Sequence, residues 1–337
     1  MTRRSRVFHV EVGPAAPHWS PEGSLAAAAV APNAPARKAR SDGRGIVAAV
    51  LAPHPPHLIY AENPPQNEPR SQGGWDTLRW GYESLRRRIR DEYRPDVLLV
   101  HAPHWVTAVG HHVNCLPRSQ GVSVDPIFPH LFRYHYEFAS DVELAEAIVA
   151  EGNDAGLTMG AMRHPGMRVD YATISTLHLI NPAWDIPVVS ISANNNPYYY
   201  GDAPLGEMET LGEATRRAVE KTGRCAVVVA SNSLSHLHWD VEPEVPEDMS
   251  REHAYNDHQY RWDMKLLEVI RKGRGQDLRR FIPEHIAATA SETKSGGLSW
   301  ALSAVGWPDV PGLVHSYGSV IGTGNAVIDW DLREVTR

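Results

Sequence analysis

The sequence predicts an α/β protein with a mixed, largely parallel sheet that is covered by helices on both faces. Several short runs of Val, Ile, Leu and Ala are almost free of polar residues, as in CAVVVA at 225–230, and such strands are typically buried on both faces. These runs alternate with stretches in which apolar residues recur every three or four positions, the period of an amphipathic helix. The length of 337 residues and the 42% hydrophobic content are sufficient for one large domain.

The first strand is predicted at 46–52. A loop separates it from a helix with one apolar face, formed by Trp75, Leu78, Tyr82, Leu85 and Ile89. Arg94-Pro95 ends this helix, because the residue before a proline avoids the helical conformation. The later elements, in order, are strands at 96–101 and 106–113, a helix at 141–150, a strand at 186–191, a helix at 205–221, a strand at 225–230, helices at 251–271, at 276–281 and from 293, and two strands within 312–328.

Residues 1–43 are rich in Ala, Pro and Arg and show no apolar periodicity. This composition is typical of a chain that forms no core. We therefore expect a flexible N-terminal extension over residues 1–43 and a single folded domain over residues 44–337.

Charge and composition exclude some classes of function. The net charge is −7, from 33 Lys and Arg against 40 Asp and Glu, which gives no basic surface for nucleic acid. No apolar run approaches the roughly 18–20 residues of a membrane span. Cys115 and Cys225 are the two cysteines, too few for a disulfide framework or a cysteine-based zinc motif. We expect a protein of the reducing cytoplasm; Arg3 and Arg4, ahead of a short apolar run at 25–31, leave an export signal as the alternative.

Histidines stand at the carboxyl ends of three predicted strands. They are His54, His57, His101, His104, His236 and His238. The carboxyl ends of parallel strands meet at one rim of the sheet, where ligands of open α/β folds bind. Two neutral imidazoles and one carboxylate on one side of a metal leave coordination positions open, as in non-haem Fe(II) oxygenases. The pattern therefore predicts a metal site that needs an acidic residue from elsewhere in the chain.

Periodicity does not choose between His54 and His57, and it does not name the acid. Glu292, in ASETKSGGLSW, precedes a stretch of small residues that can pass close to a site, although a carboxylate at the start of a helix also interacts favourably with the helix dipole. The competing acids are Glu242, Glu244, Glu247 and Glu252. The first three of these lie in a proline-rich acidic loop, and histidines flanked by proline are themselves often turn residues.

Five stretches of the chain together resemble one family. They are LAPHPPHLIYAENPPQNEPRSQGGW, HAPHW, VDYATISTL, SNSLSHLHWD and SETKSGGLSW. The chain resembles the class III (LigB-type) extradiol ring-cleaving dioxygenases from about Gly45 to its C-terminus, and within them it is most similar to the branch that cleaves 2-aminophenol. The resemblance implies a LigB-like α/β domain.

The resemblance also implies roles for individual residues. It makes His54, in the first Pro-His-Pro, and His104, in Pro-His-Trp, the histidine ligands of Fe(II), with Glu292 as the carboxylate ligand. His57 and His101 then have supporting or substrate-binding roles behind the ligands.

Two further positions are expected to act on substrate rather than on metal. His236, in LSH, corresponds to the acid–base histidine of the family. Tyr171 stands where much of the superfamily has the histidine of an Asp-His-Gly stretch, and the aminophenol branch resembles this chain in having tyrosine there. One departure is that Glu292 lies farther before Trp300 than the ligating glutamate lies before the matching tryptophan in catechol-cleaving relatives.

The function implied by the resemblance is ring opening of a 2-aminophenol-type or catechol-type aromatic by O2, giving a 2-aminomuconate semialdehyde-type product. The partners would be this small aromatic substrate, O2, and either a second copy of the chain or a paralogous α subunit. Two alternatives stay open. A zinc-dependent hydrolase or amidase could use the same ligands with water in the open position, and a non-enzymatic, Memo-like binding protein or partner subunit could have the same fold.

Overall fold

The protein is described from a computed structural model, which covers residues 44–60, 76–126, 129, 132–196, 201–237, 256–320 and 322–333. The predicted N-terminal extension at 1–43 lies outside these residues. So do Trp75, His238, Glu242, Glu244, Glu247 and Glu252.

Nine strands form the main sheet of the described chain. They are β1 (Gly45–Leu51), β2 (Val97–Thr107), β3 (His111–Asn114), β6 (Met159–Met162), β7 (Val188–Asn196), β8 (Gly201–Asp202), β9 (Cys225–Ala230), β10 (Leu313–Val320) and β11 (Thr323–Asp331). The other two strands, β4 (Arg118–Val124) and β5 (Arg133–Ala139), pair with each other in a separate small sheet. The order in the main sheet is β10-β11-β1-β9-β2-β7-β3-β6, with β8 beside β7. The four central strands β1, β9, β2 and β7 are parallel, whereas β11 runs antiparallel to both β1 and β10.

Helices cover the two faces of this sheet. They are α1 (Pro56–Tyr60), α2 (Asp76–Arg87, continued by a π-helical turn at Arg88–Tyr93), α3 (Val142–Asp154), α4 (Tyr171–Ile180), α5 (Leu205–Thr222), α6 (Asp257–Lys272), α7 (Gly275–Ala288) and α8 (Gly296–Ala304). In the described part of the chain, no helix is both long and apolar enough to cross a bilayer.

Alternate residues of the central strands are buried against opposite faces, as strand geometry requires. In β9, Ala226, Val228 and Ala230 pack into the core under α3, α5, α6, α7 and α8. Val227 and Val229 pack into the second core, under α1, α2, α4 and the β4–β5 sheet. Burial on both faces explains the unbroken apolar run at 225–230 and confirms the predicted mixed, largely parallel sheet.

Several predicted boundaries are wrong, for identifiable reasons. The predicted strand at 96–101 continues to Thr107, because pairing with β7 resumes after an irregularity between Ala102 and Val106. The helix predicted at 276–281 continues through Pro283 to Ala288, although proline removes one hydrogen bond from the helix interior. The helix expected from 293 begins only at Gly296, after a 3₁₀ turn at Glu292–Ser295. Helices α1 and α4 and strands β4, β5, β6 and β8 are additional to the prediction.

The sheet places the predicted strand ends at one rim. Ala230 at the end of β9 pairs with Leu51 of β1 on one side and with His101 of β2 on the other. The end of β1, the end of β9 and the start of the irregular part of β2 therefore lie at the same level of the sheet. The predicted convergence of the histidine-bearing strand ends is confirmed.

Candidate metal centre and active site

Three histidines surround one carboxylate at this rim. The Nε2 atoms of His54, His104 and His236 lie 3.4, 3.3 and 3.6 Å from Oε1 of Glu292. One ligand atom from each of His54, His104 and Glu292 falls within a cluster in which all such atoms lie within 4.8 Å of one another. The structure thus brings both expected histidine ligands and the expected carboxylate together, in the spacing needed to hold one ion.

The two oxygens of Glu292 have different surroundings. Oε2 accepts hydrogen bonds from the backbone N–H of Ser233 at 2.7 Å and from its hydroxyl at 3.0 Å. Oε1 is buried and accepts no hydrogen bond from the described residues. Burial alone would raise the pKa of Glu292, but its interactions with the neighbouring imidazoles of His54, His104 and His236 hold this pKa well below its usual range. The side chain therefore presents an ionised oxygen to the three imidazoles.

Glu292 is carried by an unusual turn. Thr293, Lys294 and Ser295 all have left-handed backbone conformations, with φ of 46°, 49° and 55°, which cost a non-glycine residue roughly 1–2 kcal/mol each. The side-chain amide of Asn232 donates to Oγ1 of Thr293 at 2.9 Å and to the backbone carbonyl of Glu292 at 3.4 Å. Hydrogen bonds from the segment after β9 thus hold the turn in this conformation.

His54 is oriented by groups on the opposite side of its ring. Nδ1 lies 2.9 Å from the carbonyl oxygen of Ser231 and 3.1 Å from its hydroxyl. A proton on Nδ1 is donated to that carbonyl, which leaves the Nε2 lone pair facing Glu292, the arrangement found in metal-ligating histidines. Burial lowers the pKa of His54 to about 4, so the imidazole is neutral at neutral pH.

His104 lies within the irregular part of β2, between the paired residues Ala102 and Val106. Such bulges redirect side chains at the ends of sheets. Nε2 of His104 shares a hydrogen bond of 2.9 Å with the hydroxyl of Tyr171. Burial alone would lower the pKa of His104, but its interaction with Glu292 raises it.

Tyr171 is the first residue of α4, and Asp170 caps that helix by accepting a hydrogen bond from the backbone N–H of Thr173 at 3.0 Å. The ring of Tyr171 lies 4.6 Å, centroid to centroid, from that of His104. Burial raises the pKa of Tyr171, so its hydroxyl stays protonated and can donate. The expected position of Tyr171 beside the ligands is therefore observed, while its action on substrate stays a prediction.

The remaining predicted residues lie around the cluster. His57 is buried in α1, and it is not among the three clustered residues. His101 is buried in β2 with its ring 5.7 Å from that of Trp300, and neither of its ring nitrogens hydrogen bonds to a described residue. The supporting or substrate-binding roles expected for both residues stay predictions.

Sequence reasoning missed the residues that orient the ligands, namely Ser231, Asn232 and Ser233. Their signal was the short polar run SNS directly after a fully apolar strand, at the level where β1 ends and where His101 lies in β2. Polar residues at that point can hydrogen bond to the side chains that gather at the rim, here those of His54 and Glu292.

A metal ion fits these residues on structural grounds. Oε1 of Glu292 is buried, ionised and without a hydrogen bond from the described residues, and it faces the Nε2 atoms of His54 and His104. The imidazole of His54 is neutral, with the Nε2 lone pair directed at Glu292. Two imidazoles and one carboxylate are a common ligand set for divalent iron and for zinc.

An α/β sheet whose carboxyl rim gathers this ligand set defines a candidate metal-dependent enzyme. Residues 48–328 match the family described as the catalytic LigB subunit of aromatic ring-opening dioxygenase. The chain belongs to this family of ring-cleaving dioxygenases.

Three relatives are similar over most of their length. The chain is 54% identical over 288 residues to the 2-aminophenol 1,6-dioxygenase beta subunit of a Pseudomonas species, covering 85% of this chain and 94% of the relative. It is 26% identical to 3,4-dihydroxyphenylacetate 2,3-dioxygenase of Escherichia coli, covering 78% and 91%. It is 23% identical to the 2-aminophenol 1,6-dioxygenase alpha subunit of a Pseudomonas species, covering 77% and 92%.

A solved structure shares the fold. An uncharacterized protein from Escherichia coli K12 superposes with a TM-score of 0.57, covering 84% of this chain and 99% of that one, at 16% sequence identity. This likeness supports a single LigB-like α/β domain and carries no information about substrate.

Proposed function

We propose that this chain is an Fe(II)-dependent extradiol dioxygenase that opens the ring of 2-aminophenol or a close analogue, with incorporation of both atoms of O2. The observation that carries the proposal is the convergence of His54, His104 and Glu292 beside His236 and Tyr171. The 54% identity to a 2-aminophenol 1,6-dioxygenase beta subunit supports the choice of substrate. The product would be a 2-aminomuconate semialdehyde-type compound.

In this proposal His54, His104 and Glu292 hold Fe(II). When bound, the iron would bring the amino and hydroxyl groups of the ring together with O2 and allow electrons to pass between them. Ser231 and Ser233 keep the ligands aligned, the first through Nδ1 of His54 and the second through Oε2 of Glu292.

His236 is proposed to carry the proton. Its Nε2 lies 3.6 Å from Oε1 of Glu292, and its side chain is 27% exposed, so it adjoins the cluster and is accessible to solvent. An imidazole can both accept and donate a proton near neutrality. His236 would accept the proton of the substrate hydroxyl and return it to oxygen later in the reaction, while the Tyr171 hydroxyl donates a hydrogen bond to a substrate heteroatom or to oxygen.

Oxygen consumption tests this proposal directly. Anaerobically purified protein is loaded with Fe(II) and offered 2-aminophenol, chloro-aminophenols, catechol and protocatechuate in an oxygen electrode. We expect one O2 consumed per ring opened, with 2-aminophenol among the best substrates. Hydrolysis of an amide or ester of such a ring by zinc-loaded protein, without O2, would instead support a hydrolase, and binding without turnover under either metal would support a binding protein or a partner subunit.

We also propose that the chain assembles with a paralogous α-type subunit. The support is its similarity to relatives named as the beta and as the alpha subunit of one dioxygenase. Light scattering of the chain alone and after co-expression with such a paralogue distinguishes a hetero-oligomer from a homo-oligomer. Both cysteines are free and buried, which fits the reducing cytoplasm that we propose as its location.

A further inference from the structure

A buried carboxylate that takes no part in the metal cluster lies behind His236. Asp263, on α6, is fully buried. Its Oδ2 accepts hydrogen bonds from the hydroxyl of Ser235 at 2.6 Å and from the hydroxyl of Tyr317 at 2.8 Å, and its Oδ1 accepts one from Nε2 of His285 at 3.0 Å. His285 is fully buried as well.

Such a carboxylate is costly to bury unless its hydrogen bonds are made. Three different elements supply the donors: the segment after β9, strand β10 and helix α7. The fit leaves no spare room, because a Cβ added at Gly324 would lie 1.9 Å from Oδ2 of Asp263 and 2.8 Å from Oγ of Ser235. Asp263 therefore fixes the Ser235 side chain at one point in space.

Ser235 differs from the other two donors in its place in the chain, because the next residue is His236. The segment is otherwise held by backbone hydrogen bonds. Leu234 N–H donates to the Gly324 carbonyl at 2.8 Å, and His236 N–H donates to the Ala290 carbonyl at 2.6 Å. The neighbouring residue Ser291 pairs with Ser235 in an isolated β-bridge, so the same segment adjoins the turn that carries Glu292.

We propose that Asp263 is a positioning residue that acts through Ser235 to hold the His236 imidazole at the substrate side of the cluster. This inference rests on the proposed function, in which His236 carries the proton. The hydrogen bonds of the carboxylate go to Ser235, Tyr317 and His285 and not to the clustered residues; its proposed effect is to fix the backbone from which His236 projects.

Two single variants separate positioning from general stabilisation. Ser235→Ala and Tyr317→Phe each remove one hydroxyl donor from the same oxygen of Asp263, but only Ser235 lies in the His236 segment. We expect similar falls in Tm for the two variants, unchanged iron content in both, and a loss of kcat by roughly tenfold to hundredfold in Ser235→Ala alone, because small misplacements of catalytic groups have effects of this size. KM should change little. Equal kcat losses in the two variants, or no loss in Ser235→Ala, would overturn the proposal.

A double-mutant cycle tests whether the effect passes through His236. If it does, Ser235→Ala should lower kcat in the wild-type background and have no further effect in a His236→Ala background. Additive losses would mean that Ser235 acts by another route. Asp263→Asn, which keeps the size of the side chain and removes its charge, is the second variant and should reproduce the loss seen in Ser235→Ala.

Hydrogen exchange gives a readout that is independent of activity and metal. A peptide spanning residues 231–237 contains the bonded amides of Leu234 and His236, and its exchange should be faster in Ser235→Ala than in Tyr317→Phe. Equal exchange rates in the two variants would contradict the proposal that the hydrogen bond between Ser235 and Asp263 holds this segment. If iron-loaded wild-type protein fails to cleave any of the aromatic substrates, the proposed function fails, while this exchange experiment still decides whether Asp263 anchors the segment.

Discussion

Ser233 donates two hydrogen bonds to one oxygen of Glu292, from its backbone N–H at 2.7 Å and from its hydroxyl at 3.0 Å. This arrangement leaves the other oxygen, Oε1, to face His54, His104 and His236. Because the two bonds to Oε2 fix the orientation of the carboxylate, Oε1 cannot rotate towards another hydrogen-bond donor. Oε1 is therefore available to bind a metal ion.

The first prediction concerns metal retention. His54→Ala, His104→Ala and Glu292→Ala should each lose most of the bound iron, because each removes one of three clustered ligands. His57→Ala is the matched control, since His57 lies close to His54 in the chain but outside the cluster, and it should keep its iron. Iron is measured per chain after anaerobic purification. If Glu292→Ala keeps its full iron content, another acidic residue supplies the carboxylate ligand, and Glu252 would be tested next.

The second prediction separates proton transfer from metal binding. His236→Ala should retain iron and bind substrate anaerobically, while kcat falls by roughly 10²–10⁴-fold, the usual effect of losing a general acid–base group. Metal analysis, anaerobic substrate titration and steady-state kinetics on one preparation give the three quantities. Loss of iron in this variant would make His236 a ligand.

The third prediction concerns substrate preference at Tyr171. A phenol is a neutral donor at neutral pH, whereas an imidazole also accepts protons. A catechol must lose protons from oxygen to chelate iron, but an aminophenol offers an amine lone pair and needs one base fewer. Wild-type protein should therefore prefer 2-aminophenol to catechol in kcat/KM, and Tyr171→His should narrow this preference.

Removal of the Tyr171 hydroxyl gives the matching control. Tyr171→Phe should slow cleavage about tenfold, the effect of losing one hydrogen bond worth roughly 1–1.5 kcal/mol. A Phe variant with wild-type rates on both rings would show that Tyr171 only packs against His104.

The fourth prediction concerns the left-handed turn after Glu292. Lys294 is exposed and has φ of 49°, a conformation that glycine adopts without the steric cost paid by other residues. Lys294→Gly should raise the free energy of unfolding by about 0.5–1 kcal/mol, and Lys294→Val should lower it by about 1 kcal/mol. Urea unfolding measures both. The same sign of change in the two variants would show that backbone conformation at this position does not limit stability.

The fifth prediction concerns the extent of the catalytic domain, which we propose to be residues 44–337. Deletion of residues 1–43 should leave kcat/KM and solubility unchanged, because their composition lacks a core-forming pattern. The measurement is a comparison of the two purified proteins by kinetics and light scattering. Insolubility or a changed oligomeric state would show that these residues contribute to packing or to an interface.

The fold was predictable wherever burial leaves a simple pattern. Strand β9 is apolar on both faces and was predicted with its observed boundaries. Helix α4 was missed because nine of its ten residues are buried, so it lacks the polar stripe from which a helical period is recognised. Strand β4, RSQGVSV, was missed because few of its residues are apolar and its partner β5 lies in a separate small sheet.

The sequence predicted where in the sheet the site lies, but it did not predict which residues contact one another there. Histidines at parallel strand ends indicated the rim, but His54 and His57 follow the same strand and no period separates them. Family resemblance selected His54, and of the two it is His54 that lies in the cluster with His104 and Glu292. The hydrogen bond between His54 and Ser231 joins residues 177 positions apart, and no local pattern encodes such a pairing.

The place of β1 in the sheet has a consequence for how the chain matures. It lies between β9 and β11. The first strand of the described chain can therefore complete its hydrogen bonds only after two strands from the C-terminal half have been synthesised. Glu292 and the β11 residue Thr323, which bridges to His236, are also synthesised late. Contacts between distant parts of a chain form slowly, and a nascent chain that ends before β11 lacks the partner of both β1 and His236. Until β11 is formed, the segment that carries His236 therefore lacks part of its framework, and we expect the unpaired central strands to be most open to aggregation during that interval.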